Sequence, residues 1–193
     1  MHRLWIGTLI AALTLVFVCP GDADGRRRRR ARLSKVSDKR VLKLFKEFSD
    51  SKKIALYKTR EGRFATFRKD GKKGFLLLTQ DYARVRGYNG ATSIKLMLDD
   101  DGKILKAELF KSTDTKDYVM DIIQAGFFDR YKGKTVQNDL NVDVVTGATE
   151  SCVAFSKTVG QTLKAFEEVR SKLTWKEDKL TTEDSSLGLK KVL

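Results

Sequence analysis

Histidine is almost missing from this chain of 193 residues: the single one is His2. Cysteine occurs twice, as Cys19 and Cys152, and proline once, as Pro20. A catalytic triad with histidine, a zinc site of the Cys/His type and a disulfide framework are therefore out of reach. Apolar residues make up 41% and charged residues 33%, which excludes both a multispan membrane protein and a low-complexity chain. Acidic residues are the minority, 25 Asp and Glu against 39 Lys and Arg, so the protein is strongly basic. The length suffices for one globular domain with extensions, and its chemistry is expected to come from a cofactor.

The N-terminus has its own pattern. Residues 4–18 form an unbroken apolar run behind His2 and Arg3, the layout of an export signal. The run is shorter than the roughly 20 residues of a spanning helix. Residues 1–23 are expected to be a signal peptide or a lipoprotein leader. Cys19 directly after the run suits lipid anchoring, although Val18 stands where a lipobox has a small residue; cleavage after Ala23 is the competing reading. Arg26, Arg27, Arg28, Arg29, Arg30 and Arg32 follow. Such a cluster resists transfer across a membrane. It serves either as a solvated spacer within a linker at 24–35 or as a patch for nucleic acid or an anionic membrane surface. No specific nucleic-acid partner is expected, because no aromatic residues interleave the arginines. Without residues 1–32 the body still carries 32 Lys and Arg against 23 Asp and Glu.

Along the body, Val41, Leu44, Phe45 and Phe48 recur at helical spacing behind Ser37, a residue type suited to capping. Short β-prone runs follow at 54–57, 64–67, 75–79 and 83–85, with turns at Glu61-Gly62 and Lys69-Asp70-Gly71. Residues 93–98 and 104–110 flank Asp99-Asp100-Asp101-Gly102-Lys103, which reads as a hairpin turn because calcium loops space their oxygen ligands differently. After a polar link at 111–117, residues 118–131 repeat as one helix. Residues 140–145 are a strand candidate, and 150–173 form the longest helix. The tail at 174–193 reads as polar and loosely attached. Strands followed by helices predict an α+β domain at 36–173, an antiparallel sheet of hairpins packed with helices.

Polar residues gather where the last strand candidate meets the longest helix, at Asp143-Val144-Val145-Thr146-Gly147-Ala148-Thr149. A Thr-Gly-Ala-Thr turn entering a helix offers backbone N–H groups, two hydroxyls, a glycine that lets a ligand approach, and the positive end of the helix dipole. Such a place suits a phosphate. The plainer alternative is an N-cap at Thr149, with Cys152 filling the first turn and Gly147 serving the bend. Cys152 itself is either a thiol activated by the helix terminus or a small core residue.

This motif resembles the flavinylation motif of the FMN-binding domain family, known from NqrC and RnfG subunits and from NosR-like proteins. The resemblance extends over residues 54–172. Gly87-Tyr88-Asn89-Gly90-Ala91-Thr92 is similar to the family's entry into its central hairpin, with Ala91 where proline is common. Tyr131-Lys132-Gly133-Lys134 is similar to the segment before the flavinylation loop, and Lys111-Ser112-Thr113-Asp114-Thr115 followed by Tyr118-Val119 fits the NosR-like branch best. The resemblance implies FMN joined by a phosphoester to Thr149, a phosphate loop shaped by Thr146, Gly147 and Ala148, and Asp143 as the acidic residue required by a flavin transferase using FAD and Mg. For the flavin ring, Ser112 and Thr113 are candidates for hydrogen bonding, and Tyr88, Tyr118 or Phe127 for stacking.

The expectation is thus an extracytoplasmic, periplasmic or membrane-attached electron-transfer flavoprotein that serves membrane redox partners and turns over no substrate itself. A small flavin reductase fits less well, since the body lacks histidine and a nicotinamide fingerprint. The alternative from another class is a basic secreted module that binds anionic surfaces or nucleic acid without any flavin.

Overall fold

The computed structural model describes residues 33–176 and 179–193. The expected leader at 1–23, Cys19 and the arginine run at 26–32 lie outside the described residues. Helix α1 (Asp38–Ser49) precedes strands β1 (Lys53–Lys58), β2 (Arg63–Lys69), β3 (Lys72–Leu78), β4 (Thr92–Asp99) and β5 (Ile104–Ser112). Helices α2 (Lys116–Gln124) and α3 (Thr149–Arg170) follow, then β6 (Leu173–Lys176), β7 (Lys179–Thr182) and β8 (Lys190–Lys191). Six strands form one sheet in the order β5-β4-β3-β2-β1-β8, every pair antiparallel, and β6 pairs with β7 separately. The protein is α+β, as its strand and helix patterns predict. Among the described residues no helix is long and apolar enough to cross a membrane.

Strand β3 reads Phe-Leu-Leu-Leu because both of its faces are covered. Phe75 and Leu77 join Phe64, Ile94, Leu96 and Leu98 in a core beneath α3. Leu76 and Leu78 turn the other way and pack with Leu56, Ala65 and Phe67 against Val41, Phe45 and Phe48 of α1. Side chains alternate across a strand, so a continuous apolar run requires a layer on each side. The start of α1 is fixed by Arg63, which is buried on β2. Its guanidinium donates to the Val36 carbonyl at 2.7 Å and to Asp38 at 2.6 Å, and it grips both oxygens of Asp81 at 2.9 and 3.0 Å.

Four sequence expectations need correction. Residues 83–85 leave the sheet: Ala83 N–H bonds to the Thr79 carbonyl in the turn after β3, and only Arg86 and Ala91 make an isolated bridge. The helix expected at 118–131 is two pieces, because Gly126 is left-handed (φ 63°) and separates α2 from a tight turn over Phe127–Tyr131. Phe127 and Phe128 are both buried in that turn. Residues 140–145 form no strand; Leu140, Val142 and Val145 lie as irregular chain against the core.

The tail is the fourth. Leu180 and Leu187 are buried in the core under α3, and β8 extends the sheet beside β1. Each buried leucine contributes about 2 kcal/mol, enough to hold an otherwise polar segment. A clamp outside the core assists: Lys172 pairs with Asp184 at 2.9 Å, and Asp184 accepts the Ser186 N–H. Lys172, then the Ser186 hydrogen bonds, hold the Asp184 carboxyl down at about 2. A carboxyl depressed in the folded state stabilises fully above its ordinary pKa, and that contribution is lost as pH falls through about 2. A carboxyl-carbon NMR titration is expected to place the Asp184 midpoint near that value; a midpoint in the ordinary carboxylate range removes the clamp.

Candidate functional site

Helix α3 begins abruptly. Its N-cap is Ala148, which has no side chain to close the terminus, and no side chain caps the helix. The N–H groups of Thr149, Glu150 and Ser151 lie ahead of the first helical hydrogen bond, which Cys152 makes to the Ala148 carbonyl. Thr149 is therefore the first helical residue rather than the cap, which corrects the plainer reading of the motif. Its side chain is exposed, and its hydroxyl has no hydrogen-bond partner among the described residues. The turn before it is closed by Ala148 N–H to the Val145 carbonyl, with Gly147 at φ 84°. A Cβ at Gly147 would meet nothing within 4 Å, so the left-handed backbone rather than crowding requires glycine there.

A pocket of about 320 Å³ opens over this terminus, lined by Tyr88, Tyr118, Gly147, Ala148, Thr149, Glu150 and Ser151. Binding sites for small ligands begin at about this size. Tyr88 and Tyr118 are 63% and 45% exposed, two large rings held in water beside a hydroxyl and a row of N–H donors. Aromatic faces left open in this way are suited to a planar ligand.

Asp114 holds the walls together. It is only 8% exposed, and its carboxylate accepts the Asn89 N–H and the Ser151 hydroxyl, both at 2.7 Å. Three segments meet there: the Tyr88 loop, the turn after β5, and the first turn of α3. Gly87 lies so close that a Cβ would stand 2.4 Å from the Asp114 carboxylate. Asn89 also reaches Thr115 through its side-chain amide at 3.1 Å. Sequence reasoning passed over Asp114 as part of a polar link and Ser151 as an ordinary helix residue. Their pairing spans 37 positions, and only the Gly-Tyr-Asn-Gly loop hinted at a close approach.

The other candidates divide. Thr146 is exposed in the turn before Gly147. Asp143 presents an exposed carboxylate, and its carbonyl accepts from Arg130. Ser112 and Thr113 lie beside the pocket without lining it: the Ser112 hydroxyl accepts the Asp114 N–H, and the Thr113 hydroxyl donates to the Ala91 carbonyl. Phe127 is fully buried among Phe128, Tyr131 and Phe155, so it cannot stack on anything in the pocket. Cys152 is likewise fully buried, its sulfur accepting the Val145 N–H at 3.4 Å. Burial pushes its thiol up, against the smaller opposite effect of that N–H. Cys152 is thus a core residue. In the native protein it is expected to react with a thiol reagent about a hundredfold or more slowly than in denaturant, followed by the mass of its peptide; equal rates would place it at the surface.

For a flavin mononucleotide, the uncapped N–H groups of α3 would hold the phosphate, and the exposed Tyr88 and Tyr118 would be open to its planar ring. Residues 87–164 match the model of the FMN-binding domain family. That segment runs from the glycine under Asp114 through the pocket into the middle of α3, so it contains all the lining residues. No curated protein matches the chain.

Proposed function

We propose, from the premise that residues 87–164 are an FMN-binding domain, that the chain is an extracytoplasmic electron carrier whose FMN is esterified to Thr149. The observation that carries this reading is the Thr149 hydroxyl, exposed and without a hydrogen-bond partner among the described residues, in a pocket at the uncapped start of α3. When bound, the isoalloxazine ring supplies the redox chemistry. The chain supplies the site. Thr146, Gly147 and Ala148 shape the turn that presents the Thr149 oxygen, and the N–H groups of Glu150 and Ser151 would hold the phosphate. Tyr88 and Tyr118, both exposed in the pocket lining, would hold the ring where a partner protein could exchange electrons with it.

In maturation by a flavin transferase, the Thr149 oxygen forms a new bond to the FMN phosphorus while the pyrophosphate of FAD breaks, and AMP leaves with the hydroxyl proton. The exposed Asp143 is a contact for that enzyme. An ester keeps the cofactor on a carrier outside the cytoplasm, where free FMN would be diluted away. The apolar run at 4–18 supports export. The test is co-expression with a flavin transferase and export, then denaturation. Flavin fluorescence is expected to migrate with the polypeptide on a denaturing gel, and N-terminal sequencing of the exported form locates the end of the leader. A colourless polypeptide made beside an active transferase would leave only a basic secreted domain.

A further inference from the structure

One side chain outside the pocket lining joins the helix that carries Tyr118 to the stretch that carries Thr149. Arg130 lies in the tight turn after α2, where the neighbouring Phe128 and Tyr131 are buried and fix the backbone. Its guanidinium reaches in two directions. One Nη donates to the carbonyl of Ala125, the C-cap of α2, at 3.3 Å, and the other donates to the carbonyl of Asp143. The final carbonyls of a helix lack intrahelical partners and carry the negative end of its dipole, so a cation is favoured there. Among the described residues no carboxylate pairs with Arg130.

The bond to Asp143 matters because little else fixes that stretch. Residues 132–148 join the tight turn to α3 without helix or strand. Near one end Lys134 donates to the Asp139 carbonyl at 2.6 Å, and near the other the Val145 N–H donates to the Cys152 sulfur at 3.4 Å. Between them, over 140–144, the bond from Arg130 is the only hydrogen bond to a residue outside the connection, among the described residues. Val142 and Val145 pack on the core, whereas Asp143 and Val144 are exposed. Burial raises the Cys152 thiol, and the Val145 N–H and then the Arg130 charge act the other way, which places the guanidinium close to the start of α3.

We propose that Arg130 is a positioning residue for flavin transfer: it holds the Asp143 carbonyl to the end of α2 and so keeps the stretch 143–149 in the form that the transferase binds. The inference rests on the reading of Thr149 as the acceptor. The bonds made and broken stay those at the Thr149 oxygen and the FAD pyrophosphate, and Arg130 exchanges no proton or electron with them. When only a fraction of a protein has the binding form, its apparent affinity falls by that fraction. Loss of Arg130 therefore raises KM for the chain and leaves kcat, which reports the bound form, unchanged. The planar guanidinium serves two carbonyls at once; a lysine in its place keeps the charge, as a compact ammonium, and one of the two bonds.

The test is flavin transfer to the full, unloaded chain by a purified flavin transferase with FAD and Mg, beside hydrogen exchange of the same chains read from peptide masses. Arg130→Ala is expected to raise KM for the chain about tenfold with kcat within about twofold of the parent. In the unloaded protein it speeds exchange over 140–148 about tenfold, while 155–166 within α3 exchanges as before. Arg130→Lys brings KM back to about threefold above the parent. Faster exchange with an unchanged KM makes Arg130 a structural tie only and overturns the proposal. A raised KM with unchanged exchange makes it a direct contact for the transferase, and a lowered kcat at unchanged KM gives it a part in the chemistry; either result also overturns it. Should Arg130→Ala lose its near-UV circular dichroism spectrum, Arg130→Lys is read alone, and parental KM and exchange there overturn the proposal. A parent chain that takes up no flavin removes the Thr149 reading itself, and this inference with it.

Discussion

In a Thr149→Ala variant, flavin that survives denaturation is lost completely, while the fold is kept. The expectation rests on two features of this residue. Its hydroxyl contributes no hydrogen bond among the described residues and does not cap α3, so its removal leaves the pocket intact. Alanine is also the best helix former, so the first turn is not weakened. Thr149→Ser restores attachment because the oxygen returns to the same place. Thr146→Ala keeps it, since Thr146 precedes the left-handed Gly147 and stands outside the pocket lining. In-gel fluorescence after co-expression with a transferase reads all three variants, and circular dichroism checks the fold. Attachment that follows Thr146 instead of Thr149 would reassign the acceptor.

The second large effect is expected at Asp114. Asp114→Ala removes a buried carboxylate that accepts from the Asn89 N–H and the Ser151 hydroxyl, leaving both donors unsatisfied behind the pocket. Hydrogen bonds to a charged group contribute about 1.5–3 kcal/mol each, so the loss is expected to be about 3 kcal/mol in denaturant unfolding. Flavin loading falls with it, because the Tyr88 loop and the start of α3 are no longer tied together. Asp114→Asn keeps one acceptor oxygen and places an amide against the other donor, so an intermediate loss of about 1–2 kcal/mol is expected. An Asp114→Ala protein within about 0.5 kcal/mol of the parent would show that the carboxylate is not a tie.

What could be read from the sequence was whatever repeats locally. The stripe of Phe155, Val159, Leu163, Phe166 and Val169 defines α3 because all five meet one sheet face. The hairpin turns at 69–71 and 99–103 follow from their own glycines and aspartates; Asp99 accepts the Asp101 and Lys103 N–H groups within the second turn. The turn into α3 at 143–149 was legible for the same reason, being seven consecutive residues. Where burial depends on distant partners, the pattern misled. Residues 140–145 are β-prone, yet no ladder partner faces them, and Leu140, Val142 and Val145 seal the core as irregular chain. Leu180 and Leu187 stand isolated among polar residues, and only the assembled core gives them a place. Asp114 and Ser151 are separated by α2 and the whole loop before α3, so nothing in either neighbourhood announces their bond.

The fully buried Phe127 shows a related limit. Its aromatic character matched a stacking role, but its position in the tight turn after Gly126 directs it inward, while Tyr118, on α2, stays in the open. Residue type suggested a stacking role; backbone geometry decides which rings are open to the pocket.

The most direct measurement is the mass of the tryptic peptide 135–157 from protein isolated with its transferase. It contains Thr135, Thr146 and Thr149 together. The peptide is predicted to carry the mass of FMN less one water, with fragment ions placing the addition on Thr149. An unmodified peptide, or an addition on either of the other two threonines, contradicts the account.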